Sequence, residues 1–427
     1  MQQRFVTLLG KSVKKLAEAR GGGSALPGLF VEKIDPNFIS RTLADLPHGV
    51  VLISGTNGKT TTTKMVVELL ESQGMKVFTN RTGSNFTRGV AAALLGEVTR
   101  DGELEADIAV LELDEAHAVH FVWSVKPAYS LLLNVMRDQL DRFGEIDTTA
   151  KLLRTIAENT TDGVIVNRDD PRLGTPVFID GLTAPVRTYG VAPALQSLFP
   201  SDDAMREGSI YEARDTITPA DDVSLETVSE PSATIAYGGS SHTVTLKLKG
   251  VYNILNATGA VALTRMIMGH ELSEQSMLAA LEKVTPAFGR GETLIVDGKE
   301  CELVLVKNPS GFRLSLKSFD PSQYATMIAI NDNYADGRDM SWLWDVEFDS
   351  LKNNGVAMVT GMRAFDMALR LQYDEIEIST VVPSIPAALQ AFIAAESEKP
   401  KRIFCTYTAM LAIRRELAKQ TNVEVVR

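Results

Sequence analysis

The sequence predicts an α/β protein built from two successive parallel-sheet units, and three observations carry that reading. A buried-strand run, Val50 to Ile53, feeds a glycine-flanked turn and then a helix striped with Met65, Val66, Leu69 and Leu70, with Gly74 placed to stop it. Short apolar runs go on alternating with helical patterns, as a parallel sheet requires. Beyond about residue 296 the alternation starts afresh, which makes a second unit. A chain of 427 residues accords with two or three domains, because single cores stop growing well short of that length.

Residues 1–45 form the predicted lead. They begin helical and basic (Arg4, Lys11, Lys14, Lys15, Arg20), loosen at Gly21-Gly22-Gly23 and carry a turn signal at Leu26-Pro27-Gly28. The lead is either lipid-proximal or partner-facing, or a solvated helix packed on the next domain. The main domain is expected over 46–295, with strands at Val50–Ile53, Val77–Thr79, Asp107–Leu113, Ser130–Asn134 and Val164–Asn167. Polar loops follow them, at the sheet edge where ligands collect: Asn80 to Asn85, Glu112-Leu113-Asp114-Glu115, and Arg137 to Gly144.

Residues 195–245 read differently, as an insert. Ser201 to Ser232 is acidic and rich in Ser, Thr and Pro. Ala233–Tyr237 and His242–Leu248 then flank Gly238-Gly239 as a β hairpin exposed on one face. A helical pattern resumes at Tyr252-Asn253-Ile254-Leu255-Asn256, and Gly289-Arg290-Gly291-Glu292 marks the next boundary. The second unit, 296–427, has predicted strands near Glu302–Val306, Thr326–Ile330, Gly355–Thr360 and Arg402–Cys405. Its strand-end loops are polar: Lys307 to Gly311, Asn331 to Asp339, and Thr360 to Arg363.

Composition narrows the function classes. The chain is 44% hydrophobic and 23% charged, ordinary for a globular protein. With 43 basic and 54 acidic side chains its formal charge is −11, which argues against a nucleic-acid partner and an electrostatic membrane anchor. No apolar run reaches the roughly 18 residues of a spanning helix, and no signal-peptide pattern opens the chain. The two cysteines, Cys301 and Cys405, fit a reduced compartment, so the cytoplasm is expected. They cannot supply a four-thiolate site, and the five histidines (His48, His117, His120, His242, His270) are dispersed, so no zinc is expected.

The chemistry starts at Gly55-Thr56-Asn57-Gly58-Lys59-Thr60-Thr61. Strand, glycine loop, lysine and hydroxyl, then helix is the layout of a phosphate cradle. The glycines let backbone N–H groups approach the oxygens, and the helix start adds its positive end. Lys59 is placed to reach the outer phosphates and Thr60 to ligate Mg²⁺. The loop is tighter than the usual spacing, since Ile53 stands where the first glycine is expected. A glycine turn before an ordinary surface helix is the plainer explanation, but packing does not account for the threonine run after Lys59. On this reading Lys59 is an exposed loop lysine. Among Glu112, Asp114 and Glu115, one supplies the second half of the Mg²⁺ site and the others cap the next helix.

These motifs resemble a known family. The loop Gly55 to Thr61 is similar to the ATP loop of the Mur ligases and folylpolyglutamate synthases. Asn134-Val135-Met136-Arg137-Asp138-Gln139-Leu140-Asp141 looks like their N-x-x-x-D-H-L-D segment, and Tyr252 to Asn256 like their H-N-x-x-N segment. Gly289 to Glu292 resembles the arginine motif closing their central domain. The closer resemblance is to one branch, the MurT subunits of lipid II isoglutaminyl synthases, through Glu112–Glu115, Arg137–Gly144, Lys307–Gly311 and Asn331–Asp345.

The resemblance implies a Mur-ligase-type ATPase domain followed by a Rossmann-like α/β domain. It also implies an ATP- and Mg²⁺-dependent amidation of the D-glutamate α-carboxyl in lipid II, through an acyl phosphate, at the inner membrane face. Ammonia would come from a GatD-type glutaminase subunit contacting the 296–427 domain. By motif, Gly55 to Thr61 hold ATP, Thr60 and Glu112 hold Mg²⁺, Asn253 and Asn256 face the adenine, and Arg290 approaches the phosphates. Asp339 matches the aspartate supplied in trans to the partner's cysteine–histidine pair, whereas a plainer reading makes it a helix N-cap.

Two departures stand out. The cysteine zinc ribbon of many MurT subunits has no counterpart in 195–245. Gln139 replaces the ligases' histidine, which weakens any second Mg²⁺ site. Lys151, near the ligases' carbamylated lysine, reads equally well as a surface lysine. A ligase adding an amino acid to a carboxylate is the alternative enzyme reading, and an ATP-binding interaction protein without turnover is the third.

Overall fold

The computed structural model describes residues 7, 9–14, 26–80, 86–138, 146–207, 222–248, 250–286, 290–318, 320–395 and 399–421. They form two compact units, one holding a nine-stranded sheet and the other a five-stranded sheet. Among these residues no helix is long and apolar enough to cross a membrane.

The first sheet contains β1 (Val50–Ser54), β2 (Val77–Thr79), β3 (Ile108–Glu112), β4 (Tyr129–Leu132), β5 (Gly163–Asn167), β6 (Val186–Val191), β7 (Val223–Ser229), β8 (Ser232–Tyr237) and β9 (Ser240–Thr245). Their spatial order is 2-3-1-4-5-6-7-8-9. Pairing is parallel from β2 through β7 and antiparallel for β7–β8–β9. β1, β3 and β5 are buried along their whole length, so they read as unbroken apolar runs.

The helix Val251–Met268 is buried through most of its length. It approaches the sheet closely at Gly259, where an added Cβ would lie 3.0 Å from the Tyr189 ring on β6. The Tyr189 hydroxyl in turn donates to Leu133 O at 3.2 Å, just past β4. The helix that carries Asn253 and Asn256 is thereby fixed against the strands that flank the phosphate loop.

Four sequence expectations are corrected here. Leu26–Ile34 is a helix rather than a turn, because Pro27 falls in its first turn, where a missing N–H costs nothing. β6 was not expected, since Arg187, Thr188 and Gly190 break up its apolar run. β7 lies inside the acidic Ser/Thr/Pro-rich stretch, for which no strand is predicted, although buried Val223 and Leu225 alternate along it. The β8–β9 hairpin pairs through β7 with the main sheet, so it forms that sheet's edge instead of a separate excursion.

The second sheet contains β10 (Arg290–Val296), β11 (Lys299–Leu305), β12 (Ala325–Ala329), β13 (Met358–Thr360) and β14 (Lys401–Cys405), in the order 10-11-14-12-13. β10 pairs antiparallel with β11, and the others are parallel. Phe312, Trp342, Phe348 and Phe404 pack into one core cluster, and Met327, Ile385, Phe392, Ile403 and Met410 into another. Arg290 to Glu292 of the predicted boundary tetrapeptide lie within an edge strand of this sheet, and Gly289 lies outside the described residues.

Candidate active site

β1 delivers the chain into the loop at Gly55, and Gly58 precedes the helix Lys59–Glu71. Both glycines have positive φ, +135° and +91°, which ordinary side chains rarely adopt. A Cβ on Gly58 would also lie 2.7 Å from the Asn256 amide nitrogen, so the loop and the Val251–Met268 helix meet there. Gly58→Ala combines that collision with backbone strain of about 1–2 kcal/mol. The expected result is a loss of about tenfold or more in nucleotide affinity, read by ADP titration.

The loop is braced from the neighbouring strand. Asn134, just past β4, accepts from Thr56 N through its carbonyl at 3.0 Å. Its side-chain amide accepts from Asn57 N at 2.9 Å and donates to Asn57 O at 3.0 Å. Val135 N donates to Asp170 Oδ2 at 2.6 Å, and Asp170 also accepts from Arg172 N and Leu173 N. Sequence reading noted Asn134 only as part of a segment. An amide at the end of a strand flanking β1 was the signal for its bracing role.

Burial pushes the Asp170 carboxyl from 3.8 up to about 6, against three backbone donors that favour the anion. The folded value is the higher one, so the folded protein takes up this proton first. Its contribution to stability therefore falls as pH rises from about 4 to about 6, by at most about 3 kcal/mol. Asp170→Asn should gain on wild type across that window in chemical denaturation.

Lys59 is not the exposed loop lysine expected from sequence. Its side chain is 11% exposed and lies 3.6 Å from Glu115 Oε2. Nζ donates to Gly55 O at 2.6 Å and Thr56 O at 3.3 Å. Thr60 Oγ1 donates to Glu112 Oε1 at 3.0 Å. Glu112 is held in place by Asn80, whose amide donates to Glu112 O at 2.9 Å and accepts from Glu112 N at 3.1 Å. Among the described residues Glu112 Oε2 is buried without a hydrogen-bond donor. Of the three strand-end carboxylates, Asp114 is the helix cap, accepting from Ala116 N.

The other predicted positions are placed as follows. Thr61 is buried in the first helical turn. Asn256 is buried against Gly58, and Asn253 lies half-buried one turn earlier on the same helix. Arg290 is on β10, but its side chain lies outside the described residues. Arg81 to Asn85 and Gln139 to Gly144 also lie outside them. Lys151 is exposed on the helix Ile146–Glu158. His117 meets the Phe86 ring edge-on and His120 meets Trp123, so both imidazoles pack on rings. Cys301 and Cys405 are free and buried. Among the described residues no group of three or more His, Cys, Asp or Glu is arranged to hold a metal ion.

In the second unit the loop after β12 is tied down by Asp336. Its oxygens accept from Thr408 N at 2.7 Å, Thr408 Oγ1 at 2.5 Å and Asn333 N at 3.1 Å. Asp332 pairs with Arg363 at 2.8 Å. Asp339 is partly exposed and accepts from Ser341 N at 2.9 Å, a cap-like contact; hydrogen bonding from the Ser341 side chain first, and from its backbone second, holds the carboxyl below the usual range. Asn308 caps the helix Pro309–Lys317 through Gly311 N at 2.7 Å, and Ser310 Oγ donates to Arg137 O.

Comparison with known proteins was consistent across both units. The Mur ligase middle domain family matches residues 53–264, and the MurT ligase C-terminal family matches residues 305–410. Subunit MurT of the glutamine-hydrolyzing lipid II isoglutaminyl synthase from Streptococcus pneumoniae is 30% identical over 440 residues, covering 97% of this chain and 96% of the relative. Its counterpart from Staphylococcus aureus strain COL is 29% identical over 403 residues, 90% of each chain. A crystal structure of MurF from Acinetobacter baumannii superposes with a TM-score of 0.67 at 18% identity, over 92% of this chain and 80% of that one. That likeness speaks for the fold.

Proposed function

The chain belongs to the MurT family, and from that premise we propose that it amidates the D-glutamate α-carboxyl of the lipid II stem peptide to D-isoglutamine. It is an ATP-dependent ligase of the Mur ligase family. A carboxylate is a poor electrophile, so one of its oxygens first attacks the γ-phosphorus of ATP and ADP leaves. Ammonia then adds to the acyl carbon, phosphate departs, and the nitrogen loses a proton. The first step demands that phosphoryl group and carboxylate be held in line while charge is neutralised.

The observation that carries this reading is the Lys59–Thr60–Glu112 constellation on the glycine loop. Mg²⁺ binds through one or two protein oxygens plus phosphate oxygens and water, and needs no cage of carboxylates. Thr60 Oγ1 and the unpartnered, buried Glu112 Oε2 are the donor set that fits it. Bound there, the ion would neutralise charge on the phosphates. Lys59 supplies the ammonium for the transferring group, and the open start of the Lys59–Glu71 helix offers backbone N–H donors. Asn256, against Gly58, keeps the loop in its binding shape.

The ammonia source in this reading is a GatD-type glutaminase subunit docked on the domain from 296 onward. Asp339 orients that partner's catalytic imidazole from a loop fixed by Asp336. The reaction takes place at the inner membrane face, where lipid II presents its peptide. ATP consumption measured with lipid II, with and without glutamine and the partner, tests the reading. Turnover that requires an added amino acid instead would assign the chain to the amino-acid-adding ligases.

A further inference from the structure

The loop that carries Asp339 is pinned on both sides of that residue. Downstream, the buried Arg370 donates to Leu343 O at 3.2 Å and to Val346 O at 2.6 Å. Upstream, the anchor is the start of the helix Tyr407–Leu417. Thr406 Oγ1, at its N-cap, accepts from Asn331 N at 2.9 Å. Thr408, in the first turn, uses every hydrogen-bonding position that a hydroxyl offers. Its Oγ1 accepts from Asn331 Nδ2 at 3.0 Å and Asn333 Nδ2 at 2.8 Å, and donates to Asp336 Oδ2 at 2.5 Å. Its backbone N–H, one of the donors that a helix start leaves open, goes to Asp336 Oδ1 at 2.7 Å. Asp336 is buried, and it closes a turn with Asn333 through bonds in both directions, at 2.8 and 3.1 Å. Asp339 follows three residues later and is held only locally by the bond from Ser341 N that fixes its carboxyl. That bond orients the side chain; the place of the loop is set at Thr408 and Arg370.

We propose that Thr408 is a positioning residue for glutamine-driven amidation, which through Asp336 sets the place from which Asp339 meets the partner's imidazole. The inference rests on the role given to Asp339 above. An aspartate supplied to another subunit works only from a fixed place, and a displacement of about 1 Å can cost about 100-fold in rate. A competing, purely structural role is that of a residue that steadies a helix start within the second unit. That role predicts a lower melting temperature and no difference between nitrogen sources.

The test compares glutamine-driven and ammonium-driven amidation of lipid II at saturating partner subunit. Thr408→Val keeps the shape of the side chain and deletes its hydroxyl. It should lower the glutamine-driven kcat by about tenfold or more at unchanged glutamine KM, and move the ammonium-driven rate by no more than about twofold. Thr408→Ser keeps the hydroxyl and should stay near wild type. In Thr408→Val combined with Asp339→Asn the rate should equal that of Asp339→Asn alone, because nothing is left to position. If Thr408→Val does not fold, Asn333→Ala, which removes one exposed amide from the same hydroxyl, repeats the comparison with a smaller loss confined to glutamine. Equal loss with both nitrogen sources, no loss, or additive losses in the double variant overturn the proposal. Loss in Asp339→Asn without loss in Thr408→Val overturns this inference alone. Asp339→Asn at the wild-type glutamine rate would instead overturn the role of Asp339, and this inference with it.

Discussion

Lys59→Ala is expected to lower lipid II amidation by about 10³-fold or more, the scale of losing a charge aimed at a developing anion in a preorganised site. The structure adds a cost in stability that an exposed lysine would not carry. Lys59 is mostly buried against Glu115, so truncation leaves a buried carboxylate without its cation. Removing one partner of such a pair destabilises by about 3–5 kcal/mol at most, less where water can enter the gap. The control is Lys59→Ala combined with Glu115→Gln, which removes both charges together. The double variant should melt closer to wild type than Lys59→Ala alone and remain inactive. Normal amidation by either folded variant would remove the nucleotide assignment.

Asp339→Asn separates the two half-reactions. Its carboxyl accepts from Ser341 N at 2.9 Å, and an asparagine oxygen can accept the same bond, so the loop should keep its shape. What the amide cannot supply is a negative charge to fix and stabilise an imidazole. Glutamine-driven amidation with the glutaminase partner should fall by about 10²-fold or more. High external ammonium should restore most of it, because Lys59, Thr60 and Glu112 are untouched. If Asp339 serves only as a cap, both rates stay near wild type. Equal loss with glutamine and with ammonium would move Asp339 into the acyl-phosphate chemistry.

The parts of the fold that were legible in the sequence are those whose physics is local. β2 coincides with its predicted span, and β1, β3 and β5 fall within a residue of theirs at each end, because strands buried on both faces need continuous apolar residues. β7 and β10 were not legible. Polar residues alternate along β7, which lies between β6 and β8, and open β10 at the edge of its sheet, so both resemble loop and only pairing with a neighbour distinguishes them. The site divides in the same way. Lys59, Thr60 and the Glu112–Glu115 group announce themselves by type and spacing. The split of roles among Glu112, Asp114 and Glu115 depends on where a strand ends and a helix begins, which is set by the sheet rather than by the tetrapeptide. Asn134 braces the loop from 77 residues along the chain and Asp170 holds Val135 beside it from 35, and contacts at such ranges leave no periodic trace.

The most direct measurement of the central claim is the product itself. Purified chain and its glutaminase partner are incubated with lipid II, ATP, Mg²⁺ and glutamine, and the stem peptide is then analysed by mass spectrometry with fragmentation. The account predicts a carboxamide at the α-carboxyl of the D-glutamate, formed only when ATP and a nitrogen source are both present and absent with Lys59→Ala. An unmodified glutamate in the complete reaction, or a peptide extended by an amino acid, would contradict it.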